Sequence, residues 1–273
     1  PSLHGSGPGY KWNQGASPMR FAAASALAAF LAAAAGAEPP ALPEPGDMTA
    51  TEIVASAYEA AGGEAWSDPD TLYMEGYGLF WTGPGAEPVR YEPYRMWRVF
   101  AGEKADAHQA DGRVRIEGMR EGEPVFVISF DGETTYNEDG PLEEQADSDR
   151  WASNFGFGVI RHALDEGYTV ERLADDYVDG APAYTIRVND PAGGETIFNI
   201  RREDFAVVGV GFDTPRGWHE RRYSDFYTNE DGGWVQPGRV RLFYDGVKAN
   251  EIYWTAFTTG EAFEDAVFVV EGE

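Results

Sequence analysis

The groups able to do chemistry in this 273-residue chain are its many acids, four scattered histidines, of which His4 lies in the N-terminal segment set apart below, and an unusually large set of aromatic rings. His108, His162 and His219 stand far apart, and none sits in a metal-ligand spacing such as H-E-x-x-H. His219 and Glu220 are neighbours on an expected strand, so their side chains point to opposite faces and cannot share one ion locally. There is no G-x-S-x-G elbow, no P-loop and no G-x-G-x-x-G after a strand. Cysteine is absent, which excludes disulfides, a lipobox anchor, zinc-thiolate sites and thiol nucleophiles. Asp175-Asp176 with Asp179-Gly180 begins like a calcium loop, but Ile186 stands where the bidentate Glu is needed. Asn137–Asp139 and residues 143–149 are acidic loops able to hold only an adventitious cation. No catalytic residue, metal site or cofactor is assigned, and the chain is expected not to be an enzyme.

The aromatic residues carry more information. Trp66, Trp81, Trp97, Trp151, Trp218, Trp234 and Trp254 are spread along the chain among many Phe and Tyr. Each such ring buries about 150–250 Å², and most must build an ordinary core. The remainder suit the wall of a cleft for an apolar ligand, which needs flat side chains and few polar groups. The expected ligand-contacting residues are Trp81, Trp97, Trp151, Phe155, Phe157 and Ile160. Gly156 and Gly158 weaken the segment bearing four of them, at about 1 kcal/mol each in a helix interior. A movable cover over Trp151–Leu164 is the expected consequence.

These side chains must be positioned by one helix and a long run of strands. Thr49 and Glu52 have capping-box spacing, and Ile53, Val54, Ala57, Tyr58 and Ala61 then recur at helical period before Gly62-Gly63 stops the helix. From Leu72 the period changes to two. Strands are expected over Leu72–Thr82, Tyr94–Ala101, Arg113–Arg120, Pro124–Phe130 and Glu133–Asn137, with a type I′ turn at Asp131-Gly132. Residues 147–167 break the pattern and predict a broken helix ended by Gly167. Strands resume over Tyr168–Leu173, Ala183–Asn189, Glu195–Arg201, Val207–Asp213, Glu220–Tyr227, Gly238–Asp245 and Glu251–Thr258. This spacing, with no parallel crossover, predicts a mainly β (α+β) meander that curls. Both faces of Leu72–Trp81 carry bulky apolar groups, so part of the sheet should be covered on both sides.

The N-terminal segment has a different character. Met19-Arg20 precede an uncharged, Ala-rich stretch ending Ala35-Gly36-Ala37, the layout of a signal peptide cleaved after Ala37. The expected organisation is residues 1–18 as upstream sequence foreign to the fold, 19–37 as the signal, 38–47 as a Pro-rich linker and 48–273 as one domain. Export to the periplasm is implied. The formal charge of -26 repels nucleic acid and anionic headgroups, so nucleic-acid partners are excluded and membrane contact should be transient at most.

The segment YEAAGGEAW (Tyr58–Trp66), the EGYG step at Glu75–Gly78 and the tail Arg221–Phe268 together resemble the LolA/LolB-like superfamily of outer-membrane lipoprotein-sorting proteins. In the tail the resemblance lies in Tyr223–Tyr227, Gly232-Gly233, Pro237, Asp245-Gly246 and Asp265–Phe268. Thr258-Thr259-Gly260 depart from the Asn-Pro-like step of many relatives, so the last strand could pair differently. The resemblance implies a curved antiparallel sheet, an unclosed barrel, with helices covering its concave face. It also implies a periplasmic binding protein that holds a lipid or the acyl chains of a lipoprotein for transport toward the outer membrane. The alternative is an envelope interaction or stress-sensing module, with an envelope protein partner and no cargo. A third reading, a carboxylate hydrolase of envelope polymers, would need a buried acid pair in a cleft.

Overall fold

The computed structural model describes residues 46–83, 85–102, 106, 112–142, 159–228 and 233–272. Helix α1 (Ala50–Ala61) forms where the capping box places it. The Thr49 hydroxyl accepts from the Glu52 N–H at 3.3 Å, and the Glu52 carboxylate accepts from the Thr49 N–H at 2.8 Å. Ile53, Val54 and Ala57 are fully buried and key the helix into the core. Gly62 ends it at φ 132°, and a Cβ there would lie 2.2 Å from the Gly233 carbonyl oxygen. Only glycine allows that contact. A single further turn, α2 (Glu64–Ser67), was not legible in the sequence and buries Trp66.

Among the described residues fourteen antiparallel strands make one sheet. The first half comprises β1 (Thr71–Phe80), β2 (Val89–Val99), β3 (Arg113–Arg120), β4 (Glu123–Phe130), β5 (Thr135–Asn137) and β6 (Gly140–Pro141). The second comprises β7 (Thr169–Arg172), β8 (Asp176–Val178), β9 (Ala181–Asn189), β10 (Glu195–Arg201) and β11 (Val207–Thr214), then β12 (Gly217–Thr228), β13 (Val235–Tyr244) and β14 (Val247–Thr259). The spatial order is β6-β5-β4-β3-β2-β1-β14-β13-β12-β11-β10-β9-β7, with β8 also on β9. The ends do not meet, so the barrel is unclosed. Despite the departure at Thr258-Thr259, β14 pairs with β1 along its length, from Phe80↔Asn250 to Leu72↔Thr259.

Several expectations need correction. The Asp131-Gly132 turn is not type I′, because Asp131 does not adopt positive φ. Its carboxylate instead accepts from the N–H groups of Glu133 and Thr134 at 2.9 and 2.8 Å, the local Asx geometry that competes with a tight hairpin. Strand β2 begins five residues early, at Val89, and accommodates a cis Glu92–Pro93 bond. The three-residue β8 was missed. Of the segment 147–167, residues 147–158 lie outside the described residues, and the rest holds a 3-10 turn, Val159–His162.

The two faces differ in chemistry. On the inner face α1, α2 and the 3-10 turn pack with Leu72, Met74, Ile186, Phe198, Phe212 and Phe257 into the main core. The outer face carries ion pairs and rings: Arg95 to Glu75 at 2.8 Å, Arg115 to Glu117 at 3.0 Å, and Tyr77 stacked on Tyr253 at 4.7 Å. Beyond β14 the chain crosses behind β3 and β4. There Ser129 donates to the Phe268 carbonyl at 2.7 Å, Arg115 donates to the Val267 carbonyl at 3.2 Å, and Phe268 is fully buried. This part of the sheet is covered on both sides.

At Gly76 a bulge brings β1 against β14 so closely that a Cβ would lie 1.8 Å from the Tyr253 carbonyl oxygen. Gly76→Ala should therefore cost about 1–3 kcal/mol through backbone displacement, seen as a lower urea midpoint. An unchanged midpoint would show that the joint yields without strain.

Glu251 is buried on β14, where burial alone would raise its pKa. Hydrogen bonds from Lys248 and Tyr253, each at 2.5 Å, and from Arg239 at 2.6 Å outweigh that effect and bring it down to about 2. A carboxyl depressed from about 4.5 stabilises the fold above that pH, and the contribution disappears as pH falls through about 2. Glu251→Gln should lose up to roughly 3 kcal/mol at pH 7, with the difference from wild type shrinking toward pH 2. Urea melts at stepped pH measure this; a gap that stays constant with pH contradicts it.

Candidate functional site

Strand alternation decides what faces inward. On β2 the residues Tyr94, Met96 and Arg98 point to the inner face, as do Val114 and Ile116 on β3 and Asn250, Ile252 and Trp254 on β14. Together with Phe198 of β10, Arg221 and Tyr223 of β12, and Val240 of β13 they surround one cavity of about 250 Å³. β3 and β10 are seven places apart in the sheet, which would separate them by roughly 34 Å if it were flat. Their meeting around one cavity measures how strongly the sheet curls.

Ala60 and Ala61 of α1, Trp66 of α2, and Ile160 and Arg161 of the 3-10 turn complete the wall. That turn is fastened to α1 by the Tyr58 hydroxyl, which lies 2.6 and 2.7 Å from the Ile160 and Arg161 carbonyl oxygens. Burial pushes the Tyr58 phenol up to about 12, so it stays a protonated donor. Arg161 donates from Nε to the Trp66 carbonyl at 2.7 Å, and its guanidinium lies 4.5 Å from the Trp66 ring centre and 5.2 Å from that of Trp234. Tyr94 and Trp254 meet at 5.5 Å on the opposite wall.

The polar members of the wall are few: Arg98, Arg161, Arg221, Gln236, Asn250 and two tyrosine hydroxyls. Arg221 donates from Nε to His219 Nε2 at 3.1 Å, and burial pushes its guanidinium below the ordinary arginine value. Burial raises the phenols of Tyr94 and Tyr223. Among the described lining residues there is no Asp, Glu, His, Ser or Thr. Such a wall can enclose an apolar body and orient a polar end.

Of the residues singled out in the sequence, Ile160 lies in this wall. Trp97 lies on the outer face, packed on Tyr73 at 5.3 Å, because β2 sends its odd-numbered residues outward there. Trp81 follows β1 and sits under the Lys248 ammonium at 5.0 Å, away from the cavity. Trp151, Phe155 and Phe157 lie outside the described residues. Sequence reasoning missed Tyr94, Tyr223, Trp254 and the three arginines. The usable signal was parity with the buried face of the same strand, as in Leu72 and Met74 or Met96 and Arg98.

The acids that began like a calcium loop serve as arginine partners. Asp175 is paired with Arg172 at 2.9 Å, and Asp179 with Arg222 at 3.5 Å and with Arg241. His219 is fully buried, stacked on Phe212 at 4.6 Å, and His162 lies 2.9 Å from Asp165. His108 lies outside the described residues. Among the described residues no group of three or more potential ligands gathers, and no helix is long and apolar enough to cross a membrane.

No protein-family model and no curated protein matches this chain. Solved structures do. A LolA superfamily protein from Nitrosomonas europaea aligns with TM-score 0.47 and 12% identity, covering 81% of this chain and 98% of its own. A domain described as an outer membrane lipoprotein-sorting protein, from Vibrio parahaemolyticus, aligns with TM-score 0.45 and 11% identity over 80% and 94% of the two chains. A DUF1329 family protein from Desulfovibrio piger gives 0.47 and 10% over 81% and 97%. Each is a similarity between chains that share about one residue in ten.

Proposed function

We propose that this chain is an exported, non-enzymatic binding protein whose single domain, residues 48–273, holds a lipid or the acyl chains of a lipoprotein. Residues 19–37 would direct it to the periplasm, with cleavage after Ala37, and the cargo would travel toward the outer membrane. The observation that carries the reading is the cavity of about 250 Å³ walled by apolar and aromatic side chains from strands on both halves of the sheet. It exceeds the ~150 Å³ of an apolar cavity that stays dry and takes up benzene. Each acyl methylene moved into it from water contributes about 0.8 kcal/mol, so a few suffice for useful affinity. Ile160 is the wall contact we retain from the sequence-based set.

The environment-sensitive dye N-phenyl-1-naphthylamine, together with mass spectrometry of gently purified protein, tests this. Dye fluorescence should rise on binding, long-chain lipid should be carried through purification, and Val240→Phe, which fills the cavity, should weaken dye binding about tenfold. Protein that neither carries lipid nor binds the dye would defeat the carrier reading and leave a sheet used only to engage an envelope partner.

A further inference from the structure

The sheet is split at one place, and the cavity lies over the split. β13 and β14 pair from Tyr244↔Val247 to Arg239↔Tyr253 and no further. Beyond that point, among the described residues, the first residues of β13 pair with β12 alone and the last residues of β14 with β1 alone. The local sequence favours this parting. Pro237 has no N–H to give a neighbouring strand, which confines proline to edges and bulges. On β14, Thr255 is the extra residue of the bulge opposite Glu75 and Gly76. Bulges end strand pairing and recur next to active sites.

Side chains fill the gap that the ladder leaves. Trp254 lines the inner cavity and also a cleft of about 290 Å³ on the outer face. Tyr227 bridges the two sides as well. Its ring meets Phe257 of the inner core edge-on at 5.2 Å, yet it lines the outer cleft with Tyr77, Tyr253 and Thr255. It lies beside Gly238, where a Cβ would stand 2.6 Å from the Asp225 carbonyl oxygen and 3.4 Å from Tyr227 Cδ1. Along β13 consecutive residues change sides, Pro237 lining the cavity and Gly238 the cleft. Two rings thus stand in the split, and rings change rotamer far more readily than a hydrogen-bonded ladder parts. Cavity and cleft taken together reach the roughly 300–1,000 Å³ of pockets for drug-sized ligands, which the cavity alone does not.

The cleft suits an uncharged head. Asp225 lines it and repels an anion. The ring faces that would attract a cation are taken. Tyr77 and Tyr253 stack on each other at 4.7 Å, while Arg90 lies 3.7 Å from the Tyr77 ring centre and Arg239 5.5 Å from that of Tyr253. Both arginines are ion-paired, with Glu92 and Glu251. The Tyr227 hydroxyl is buried and has no hydrogen-bond partner among the described residues. Burial pushes its phenol up to about 12, so it remains a donor. A buried donor left unpaired is costly, and an acceptor on a ligand satisfies it.

We infer that the binding site runs through the sheet at this split. A single-chain neutral amphiphile lays its tail in the cavity, passes between β13 and β14, and sets an uncharged, hydrogen-bond-accepting head in the outer cleft at Tyr227. This rests on the binding-protein reading above and adds to it a ligand class and a route.

Two measurements on the full chain test it. In competition for the bound dye, 1-lauroylglycerol should act about tenfold better than laurate or dodecyltrimethylammonium. Tyr227→Phe, which keeps the ring, should lower the affinity for 1-lauroylglycerol about fivefold. In photo-crosslinking, 1-lauroylglycerol with a diazirine next to the ester should label Tyr227, Tyr253 or Thr255, and with a diazirine at the chain end it should label Tyr94, Ile116 or Ile160. Laurate or the ammonium competing as well as the glyceride, or an unchanged affinity in Tyr227→Phe, overturns the assignment of the head. Labels from both probes confined to one face of the sheet overturn the passage through it, and if that face is the inner one the cavity reading stands. Displacement of the dye by none of the three removes the cavity reading itself. The wild-type comparisons decide the matter even if Tyr227→Phe fails to fold.

Discussion

The pairing of β1 with β14 holds the molecule together. The chain makes two meanders, β1 to β6 and β7 to β14, and only this seam joins them into one sheet. It brings residues 71–80 against residues 250–259, nearly the full length of the folded chain apart. The seam is made tight by Gly76, where the absent side chain lets the backbone meet the Tyr253 carbonyl. Everything inward depends on it, since Leu72 and Met74 on one strand and Ile252 and Trp254 on the other line the same cavity. Contacts of such sequence separation come with a large loop-closure entropy and favour slow folding. The helix α1 eases this by packing locally against α2, through Tyr58 on Trp66 at 5.8 Å.

A second consequence of the seam is the sorting of charge. A strongly acidic chain must keep most carboxylates in water, and the outer face does so while pairing some with arginine across neighbouring strands. Glu251 is the extreme case, buried but held ionised by three donors. The inner face receives the opposite kind of residue. Arginine tolerates such a place better than lysine, because its delocalised, weakly hydrated head packs flat on rings. Arg161 shows how, lying against Trp66 while its Nε is spent on the Trp66 carbonyl.

How much of this was legible in the sequence depends on the length over which a pattern could accumulate. The capping box was legible as a fixed spacing of two residue types, and the helical stripe of α1 and the long alternating strands because each repeats a simple period over eight or more residues. Short pieces such as α2 and β8 carry too few residues for any period to show. The inward face of β1 and β2 was not legible, because Tyr73 and Trp97 outside are as bulky and apolar as Leu72 and Met96 inside. Choosing Trp81 and Trp97 for their ring size therefore picked residues outside the cavity, whereas parity with Met74 and Met96 would have selected Tyr94 and Arg98. The Asp131-Gly132 step was misassigned for a local reason: an aspartate that can accept from the next backbone N–H groups satisfies them without turning to positive φ.

The cavity itself bears on why the sheet stays open. Empty space in a core costs about 24 cal/mol per Å³, so a dry void of this size would cost on the order of 6 kcal/mol. That is comparable with the whole 5–15 kcal/mol stability of an ordinary domain. Larger side chains at Val114, Val240 or Ala61 would fill it with no change in the strand pattern. A chain that instead keeps small residues there, and ties a 3-10 turn over them with the Tyr58 hydroxyl, forgoes stability that packing could readily supply. Water can recover part of the cost beside Arg161, Gln236 and Asn250, where hydrogen-bonding partners are at hand. Along Leu72, Ile116, Phe198 and Ile252 it has no partners, and there only a hydrocarbon restores the lost contacts. An apolar occupant would therefore offset the cost of the open sheet, an energetic argument that stands on the composition of the wall alone.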